Sequence, residues 1–210
     1  IFGFISYFVK GRYSKKNNIF KWHIWGILSA FLGEPGTIVD ESDISNKLLM
    51  GDAISSTLVT KSDKRCGSFV IKNDGSGANS IRLEQKDDNL NFSMDGFKVF
   101  SFTMGKIPRF IKGFINELEE NIHDYNYLIP HQANMILLEN IRKKLKLSEE
   151  NILYSLKNYG NTGPASIPVT LSINKIKKGS KLLLVGFGAG LSWGAISFDE
   201  FNGKCLNAQD

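Results

Sequence analysis

Cysteine is scarce in this chain. Only Cys66 and Cys205 occur among 210 residues, and they lie far apart with no second thiol near either. A zinc site needs several closely spaced ligands and a disulfide framework needs paired thiols, so neither is indicated. Unpaired thiols fit a reducing compartment, which predicts a cytoplasmic protein. The opening IFGFISYF has no basic flank before its apolar core, which argues against a signal peptide.

Membrane-length apolar runs and nucleotide-binding motifs are also missing. The uncharged run from residue 182 to residue 198 is just short of a membrane span of about 20 residues. It is interrupted by Gly186, Gly188, Gly190 and Gly194, and each would weaken a helix by about 1 kcal/mol relative to Ala. Two buried strands joined by a glycine turn suit this run better. No Gly-Lys-Ser/Thr follows the glycines, as an ATP-binding phosphate loop requires, and a dinucleotide fingerprint would need a following helix, so ATP and NAD are disfavoured as ligands.

Charge of one sign forms no long block, although the chain is basic. A net charge of +5 and a pI near 9.1 favour acidic partners such as nucleic acid, phosphorylated cofactors or an acidic carrier protein. Nucleic acid is not expected, because basic and aromatic residues do not interleave in a recognisable binding module. The densest basic groups lie at residues 15–16, 142–144 and 175–178, and a solvated helix face is the simplest interpretation of each.

What remains is the composition of a folded globular protein. Hydrophobic residues make up 42% of the chain and charged residues 22%, and the length allows a substantial core. Gly51 and Asp52 fall between two apolar runs, which indicates a turn or a close backbone approach. The N-terminal pattern predicts a helix over residues 4–9, a strand over 19–27, a loop over 33–45, a strand pair over 47–59, a loop over 73–80 and a short strand over 80–85.

The C-terminal half alternates strands with amphipathic helices. Strands are predicted over residues 126–130, 151–156, 181–187 and 191–198, and helices over 107–118, 133–145 and 164–179. Pro108 falls in the first turn of the first of these helices, and Gly179 closes the last. This alternation predicts an α/β fold with a mostly parallel sheet and right-handed crossovers, completed by a hairpin.

Two polar residues lie at the ends of predicted elements, where open α/β sheets bind ligands: one follows a strand and the other precedes a helix. His131 comes directly after Pro130, and the residue before a proline favours extended backbone. Ile129 is therefore expected to end the strand, and His131 to lie in the turn above the carboxyl edge of the sheet. The helix that follows disfavours a cationic imidazole and predicts a neutral one. Asn161 precedes another helix. Spacing alone leaves two interpretations open: a structural histidine with an N-cap asparagine, or two neutral donors that converge on one carbonyl oxygen.

The glycine-rich segment GFGAG, residues 186–190, also allows two interpretations. Its glycines favour a tight hairpin, and they also allow a backbone N–H to approach a substrate oxygen closely.

Five segments resemble a known family. IPHQAN (129–134), YGNTGPASIP (159–168) and GFGAGLSWGA (186–195) occur in the order typical of the C-terminal half of the β-ketoacyl-acyl carrier protein synthase III family, in the thiolase superfamily. LLMGDAISSTLV (48–59) and FSMDGFKVFSFT (92–103) are similar to two further segments of that family. The resemblance implies a thiolase-like α/β fold with a mixed sheet and packed helices. It divides the chain into the end of an N-terminal half, residues 1–90, and a C-terminal half, residues 91–210.

The resemblance also implies a reaction and a set of site residues. A cysteine takes an acyl group from a thioester, while His131 and Asn161 hold the thioester carbonyl of a malonyl carrier protein as it loses carbon dioxide. The resulting enolate attacks the acyl-cysteine and gives a 3-oxoacyl product. The backbone N–H of Ala189 is the implied oxyanion donor, where many members have glycine. Implied partners are acyl carrier protein, an acyl-CoA or acyl-carrier thioester, and a second copy of the chain; no cofactor is implied.

Departures from the family keep a second hypothesis open. Ile1 falls where the family has its nucleophilic cysteine, and neither Cys66 nor Cys205 matches that position. The chain is therefore expected either to be part of a synthase or to be a non-catalytic remnant that binds a partner or a carrier protein. A superfamily relative that makes a different carbon-carbon bond would keep the same residues.

A second departure concerns carrier-protein docking. Ile136 stands where well-known members have a docking arginine. The neighbouring Arg142, Lys143 and Lys144 are the candidates to take over this role.

Overall fold

The computed structural model describes residues 4–10, 24–33, 39, 43–59, 67–86 and 89–206. The strands are β1 (Phe4–Lys10), β2 (Ile24–Gly33), β3 (Ala53–Val59), β4 (Gly67–Asn73), β5 (Ile81–Lys86), β6 (Asn89–Met94), β7 (Tyr127–Pro130), β8 (Ser180–Gly188) and β9 (Ser192–Phe201). The α-helices are α1 (Ile44–Lys47), α2 (Gly96–Glu117), α3 (Met135–Leu145), α4 (Leu156–Tyr159) and α5 (Ser166–Ile173). Predictions for Ile1, Lys15, Lys16, Cys66 and residues 19–23 lie outside the described residues.

A four-stranded mixed sheet organises the C-terminal part. Its strand order is β4-β9-β8-β7, in which β7 and β8 are parallel and the other pairs are antiparallel. Strands β1 to β3 form a separate antiparallel sheet, and β5 pairs with β6. The prediction of a mostly parallel sheet was wrong, because β4 lies far upstream in the sequence and joins the sheet antiparallel to β9. The mixed sheet implied by the family resemblance is present.

Helices α2 and α3 cover one face of this sheet. The core includes Ile107 and Ile111 from α2, Ile141 from α3, and Leu183 and Val185 from β8, all fully buried. The β8 residues alternate along the strand, so they share one face, and the helical residues recur at helical spacing. Each such side chain contributes about 1.5–3 kcal/mol when it leaves water, so this layer holds β7 and β8 in register below the candidate site. Among the described residues, none of the helices combines the length and the hydrophobicity that a membrane span requires.

The opposite face of the sheet is apolar but open at its β4 edge. Phe69 of β4 pairs with Ile196 of β9, and Ile71 lies two residues along β4 on the same face. Phe69 and Ile71 are 73% and 70% exposed. Phe69 and Ile71 therefore form an exposed apolar strip at this edge of the four-stranded sheet.

Helix α2 begins much earlier than the sequence pattern predicted. The side chain of Asp95 accepts a hydrogen bond from the backbone N–H of Lys98 and caps the helix, which starts at Gly96. Pro108 is therefore a buried interior residue, and the prediction that it lies in the first turn was wrong. A proline leaves the carbonyl four residues earlier without its helical donor. In this protein the ammonium of Lys144 on α3 donates to that carbonyl, on Met104, at 3.0 Å.

Other local predictions were confirmed or corrected in the same way. β7, α3 and the β8–β9 hairpin lie where the pattern predicted them, as does β5. Residues 4–9 belong to a strand and not to a helix. Of the strand pair predicted over 47–59, only the second strand is present, as β3; in place of the first are the end of α1, a turn and a single bridge at Met50. The strand predicted over 151–156 is reduced to a single bridge between Leu128 and Ile152. The loop predicted over 73–80 is mostly 3-10 helix, and the last predicted helix ends at Ile173, before Gly179.

Candidate active site

His131 lies in the turn between β7 and α3, as the sequence predicted. Its backbone N–H donates to the carbonyl of Val185 at 2.7 Å, which extends the parallel pairing of β7 with β8 by one residue. Helix α3 begins four residues later, and the Asn134 side chain caps it by accepting from Leu137 N–H at 2.9 Å. The histidine therefore stands at the carboxyl edge of a parallel strand pair, where α/β sheets commonly bind ligands.

Gln132 fixes this turn from inside the protein. Its side chain is fully buried, and its amide nitrogen donates to the carbonyl of Pro130 at 2.8 Å. Its amide oxygen accepts from the backbone N–H groups of Ser155 and Leu156 at 2.9 and 3.3 Å. A buried amide with both ends bonded is a rigid link, so Gln132 ties the His131 turn to the start of α4. The sequence analysis gave Gln132 no role, although it stands inside the segment IPHQAN.

The imidazole of His131 is held on two sides. Its Nδ1 lies 2.7 Å from the hydroxyl of Ser166, and the ring of Phe187 meets it edge to face with centroids 5.2 Å apart. Although part of the residue faces a cavity, the dense packing around the ring removes water and lowers the pKa of His131 to about 4. This pKa agrees with the neutral imidazole predicted from the sequence, and the cause that the structure shows is desolvation.

Asn161 is fixed by its backbone against the segment before β3. Its N–H donates to Leu49 at 2.9 Å, and its carbonyl accepts from Gly51 at 3.0 Å, which forms a parallel bridge with Met50. Its Oδ1 accepts from the N–H of Gly163 at 3.0 Å. Since that bond uses the oxygen, the amide NH₂ is the free donor end of this side chain, and it has no protein partner among the described residues.

One cavity brings the predicted residues together. It encloses about 330 Å³, within the range of small-molecule sites. His131, Asn161 and Ala189 all line it, together with Ser166. The remaining lining is largely apolar and comes from Met50, Ile81, Phe92, Met94, Ile167 and Phe187, with glycines and Pro164. Two neutral donors in an apolar cavity are suited to stabilising negative charge that develops on a carbonyl oxygen.

The glycine segment forms the predicted hairpin and also lines the cavity. Gly188 ends β8, residues Ala189–Leu191 form one 3-10 turn, and Ser192 begins β9, so the segment is a tight hairpin. Gly190 has φ +126°, a conformation that side-chain-bearing residues rarely adopt. Gly186, Gly188 and Ala189 also line the cavity. The oxyanion role of the Ala189 N–H stays a prediction.

The three basic residues predicted for carrier docking occupy the end of α3, where two of them make internal contacts. Arg142 donates to the carboxylate of Glu139 through two nitrogens and to the carbonyl of Leu147 at 3.1 Å. Lys144 donates to Met104 across the α2–α3 interface. Lys143 is exposed. Docking by these residues stays a prediction, and Lys143 is the one whose described contacts leave it most available.

Cysteine does not contribute to the cavity within the part of the chain that the structure describes. Cys205 follows β9 and is not among the lining residues. Burial raises the pKa of the Cys205 thiol, which lowers its thiolate fraction and its reactivity. The described lining of the cavity therefore contains the polar side chains of His131 and Asn161 but no cysteine.

Comparison with known proteins identifies the family to which this chain is similar. The family model described as 3-oxoacyl-[acyl-carrier-protein (ACP)] synthase III C terminal matches residues 115–199. A β-ketoacyl-[acyl-carrier-protein] synthase III from Clostridium tetani is 32% identical over 75% of this chain and 54% of its own length. A protein of the same name from Bacillus pumilus is 31% identical over 93% of this chain and 62% of its own length. This chain belongs to the synthase III family.

Solved structures of synthase III proteins show the same fold. The Pseudomonas aeruginosa 3-oxoacyl-(acyl carrier protein) synthase III superposes with a TM-score of 0.78 at 25% identity, over 86% of this chain and 59% of that protein. The Thermus thermophilus β-ketoacyl synthase III gives 0.77 at 28% identity, over 86% and 60%. The thiolase-like fold predicted from the five segments is therefore confirmed. This chain spans 54% to 62% of the length of the two curated relatives described above.

The desolvated His131 of this synthase III chain predicts a pH effect on stability. An unfolded histidine titrates near pH 6.5, whereas folded His131 has a pKa of about 4. Between these values the unfolded chain binds more protons, so the free energy of unfolding contributed by this group falls as pH drops from about 6.5 to about 4. Urea unfolding of wild type and His131→Leu near pH 7 and pH 5 tests this, with exposed His123→Leu as the control.

We expect a smaller loss of stability between the two pH values in His131→Leu than in wild type and in His123→Leu. Equal losses in all three proteins would show that His131 keeps an ordinary pKa.

Proposed function

We propose that this chain supplies the decarboxylating and carbonyl-polarising part of a 3-oxoacyl-[acyl-carrier-protein] synthase III. The reaction is the decarboxylative Claisen condensation of an acyl thioester with malonyl carrier protein, in fatty acid biosynthesis. The observation that carries this proposal is the joint presence of His131 and Asn161 on one largely apolar cavity. Membership of the synthase III family supports the same reaction.

His131 and Asn161 act on the malonyl thioester through hydrogen bonds. The neutral imidazole and the free amide NH₂ of Asn161 donate to the thioester carbonyl oxygen. The bond between the α-carbon and the carboxylate breaks, its electron pair forms the enolate, and carbon dioxide leaves. Negative charge moves onto the oxygen that the two donors hold, and the apolar walls keep water from weakening these bonds.

The second half of the reaction needs an acylated thiol. The enolate carbon attacks the acyl thioester carbonyl, the tetrahedral oxyanion is held by the N–H of Ala189, and the thiolate leaves as the 3-oxoacyl product forms. A cysteine provides this thiol in the family. The absence of a cysteine from the described cavity lining favours, as a second candidate, a chain that binds a carrier protein without completing condensation.

Partners follow from the same proposal. Acyl carrier protein presents an acidic surface, which suits a chain of net charge +5, with Lys143 and its neighbours Arg142 and Lys144 as the docking residues. The first acyl group arrives as an acyl-CoA or acyl-carrier thioester. The proposed assignment includes a homodimer in the cytoplasm and a reaction that needs no cofactor. It also places the boundary between the two halves of the fold near residues 90 and 91.

Product analysis tests the proposed function. The chain is incubated with malonyl carrier protein labelled in the free carboxylate, with and without an acyl-CoA, and carbon dioxide and carrier products are measured. Carbon dioxide with acetyl carrier protein supports the decarboxylating role, and a 3-oxoacyl product additionally shows condensation. Carrier binding without release of carbon dioxide above the uncatalysed rate would overturn the proposal in favour of the second candidate.

A further inference from the structure

Ser166 is a buried polar residue of the site that the mechanism above does not use. It begins α5 and is 1% exposed. Its Oγ lies 2.7 Å from Nδ1 of His131, and the backbone N–H of Gln132 donates to the same Oγ at 3.4 Å. Oγ has no other hydrogen-bond partner among the described residues.

The hydrogen-bond inventory distinguishes the two possible arrangements of this pair. A neutral imidazole carries one proton, on Nδ1 or on Nε2, and a serine hydroxyl carries one proton and two lone pairs. If Nδ1–H donated to Ser166, Oγ would accept from both Nδ1 and Gln132, and its own buried proton would have no acceptor. If Ser166 O–H donates to Nδ1, the hydroxyl proton has an acceptor, and Oγ still accepts from the N–H of Gln132. An unpaired buried donor is costly, which favours the second arrangement.

We propose that Ser166 is a positioning residue that holds His131 as the Nε2–H tautomer. Its hydroxyl donates to Nδ1, so the ring proton is on Nε2, the nitrogen left to act in the cavity that His131 lines. The assignment of the tautomer stands on the contact alone. Its consequence for catalysis rests on the proposed function, because only an Nε2–H can donate to a thioester oxygen from that position.

Neighbouring hydroxyl groups provide a matched comparison. Ser172 lies on the same helix, and its Oγ bonds only to the carbonyl of Val169. Thr170 bonds to the carbonyl of Ser166 and to the Ser155 hydroxyl and also makes no contact with His131. Ser172→Ala therefore removes a hydroxyl from α5 without touching the imidazole. Ser166→Thr keeps a hydroxyl beside Nδ1, whereas Ser166→Ala removes it.

Nitrogen NMR of the full chain labelled with ¹⁵N-histidine measures the tautomer directly near pH 7. The chain has three histidines, and the His131 signals are assigned by their loss in His131→Gln. We expect wild type, Ser172→Ala and Ser166→Thr to show a protonated Nε2 and an unprotonated Nδ1. Ser166→Ala is expected to show averaged shifts from a tautomer mixture. A protonated Nδ1 in wild type would overturn the proposal without reference to any variant.

Carbon dioxide release supplies the second readout. Loss of a hydrogen bond that orients a metal-ligating histidine typically lowers activity about 10- to 100-fold. By analogy, we expect a reduction of that order in Ser166→Ala and recovery in Ser166→Thr. Tautomer shifts as expected, with no activity in any protein, would leave the Ser166 assignment standing and refute the proposed function. Unchanged shifts in a folded Ser166→Ala would refute the Ser166 assignment and leave the proposed function in place.

Discussion

Replacing either His131 or Asn161 by Ala is expected to lower carbon dioxide release from malonyl carrier protein about 10²- to 10³-fold. That is the usual cost of removing one donor from a developing oxyanion. The effect should fall on kcat, because the donor strengthens its bond as the oxygen gains charge, whereas binding of the apolar parts of the substrate is unchanged. Initial rates at saturating substrate measure it.

Two exposed positions give matched controls for these substitutions. His123 lies in the short 3-10 helix Ile122–Asp124, and Asn116 lies near the end of α2, both away from the cavity lining. His123→Ala and Asn116→Ala should keep the wild-type rate. The double variant His131→Ala with Asn161→Ala should lose less than the product of the single effects, since both donors act on one oxygen. Single variants that retain the wild-type kcat would contradict the assignment of the site.

Gly51→Ala is expected to unfold the protein more easily and to reduce carbon dioxide release. A Cβ at residue 51 would lie 1.9 Å from the carbonyl oxygen of Tyr159, so the two segments must separate. This separation breaks the bridge that positions Asn161, in which Gly51 N–H donates to the Asn161 carbonyl. Overpacking typically costs 1–3 kcal/mol, and the backbone clash places this site at about the upper end of that range. Urea unfolding and the rate assay measure the two effects.

The matched control for this substitution is Gly113→Ala. Gly113 lies inside α2, and a Cβ there meets no atom within 4 Å. Alanine in a helix interior is favoured over glycine, so stability should rise by about 0.5–1 kcal/mol with an unchanged rate. If Gly51→Ala kept both wild-type stability and wild-type rate, the close approach of the two segments would not be a feature of the folded protein.

Local patterns were sufficient for some elements and not for others. The β8–β9 hairpin, β7 and α3 have clear periodicity, and each was found from sequence. The start of α2 was missed because Pro108 is tolerated inside the helix by a donor on another helix, Lys144, which only the tertiary structure shows. The strand predicted over 151–156 was wrong because only Ile152 forms a β-bridge. The backbone N–H groups of Ser155 and Leu156 donate to the Gln132 side chain instead of to a neighbouring strand.

The candidate site, too, could be predicted only in part from the sequence. Spacing placed His131 at the end of a strand, but it left a structural role open, and the resemblance of three ordered segments selected the polarising role. The cavity then brought His131, Asn161 and Ala189 together. Ser166 and Gln132 lie within the quoted segments but were given no role. Their importance rests on contacts with residues 35 and 23 positions away, which no local pattern encodes.

The infrared carbonyl band of a bound thioester tests the central claim most directly. That claim is that His131 and Asn161 polarise one carbonyl oxygen, and the measurement needs neither a nucleophile nor turnover. An acetyl thioester of carrier protein, labelled with ¹³C at the carbonyl, is added to the chain at a concentration that saturates binding, as measured by calorimetry. The account predicts a shift to lower wavenumber in wild type that is lost in the double variant His131→Ala with Asn161→Ala. An unshifted band in wild type, or an equal shift in the double variant, would contradict it.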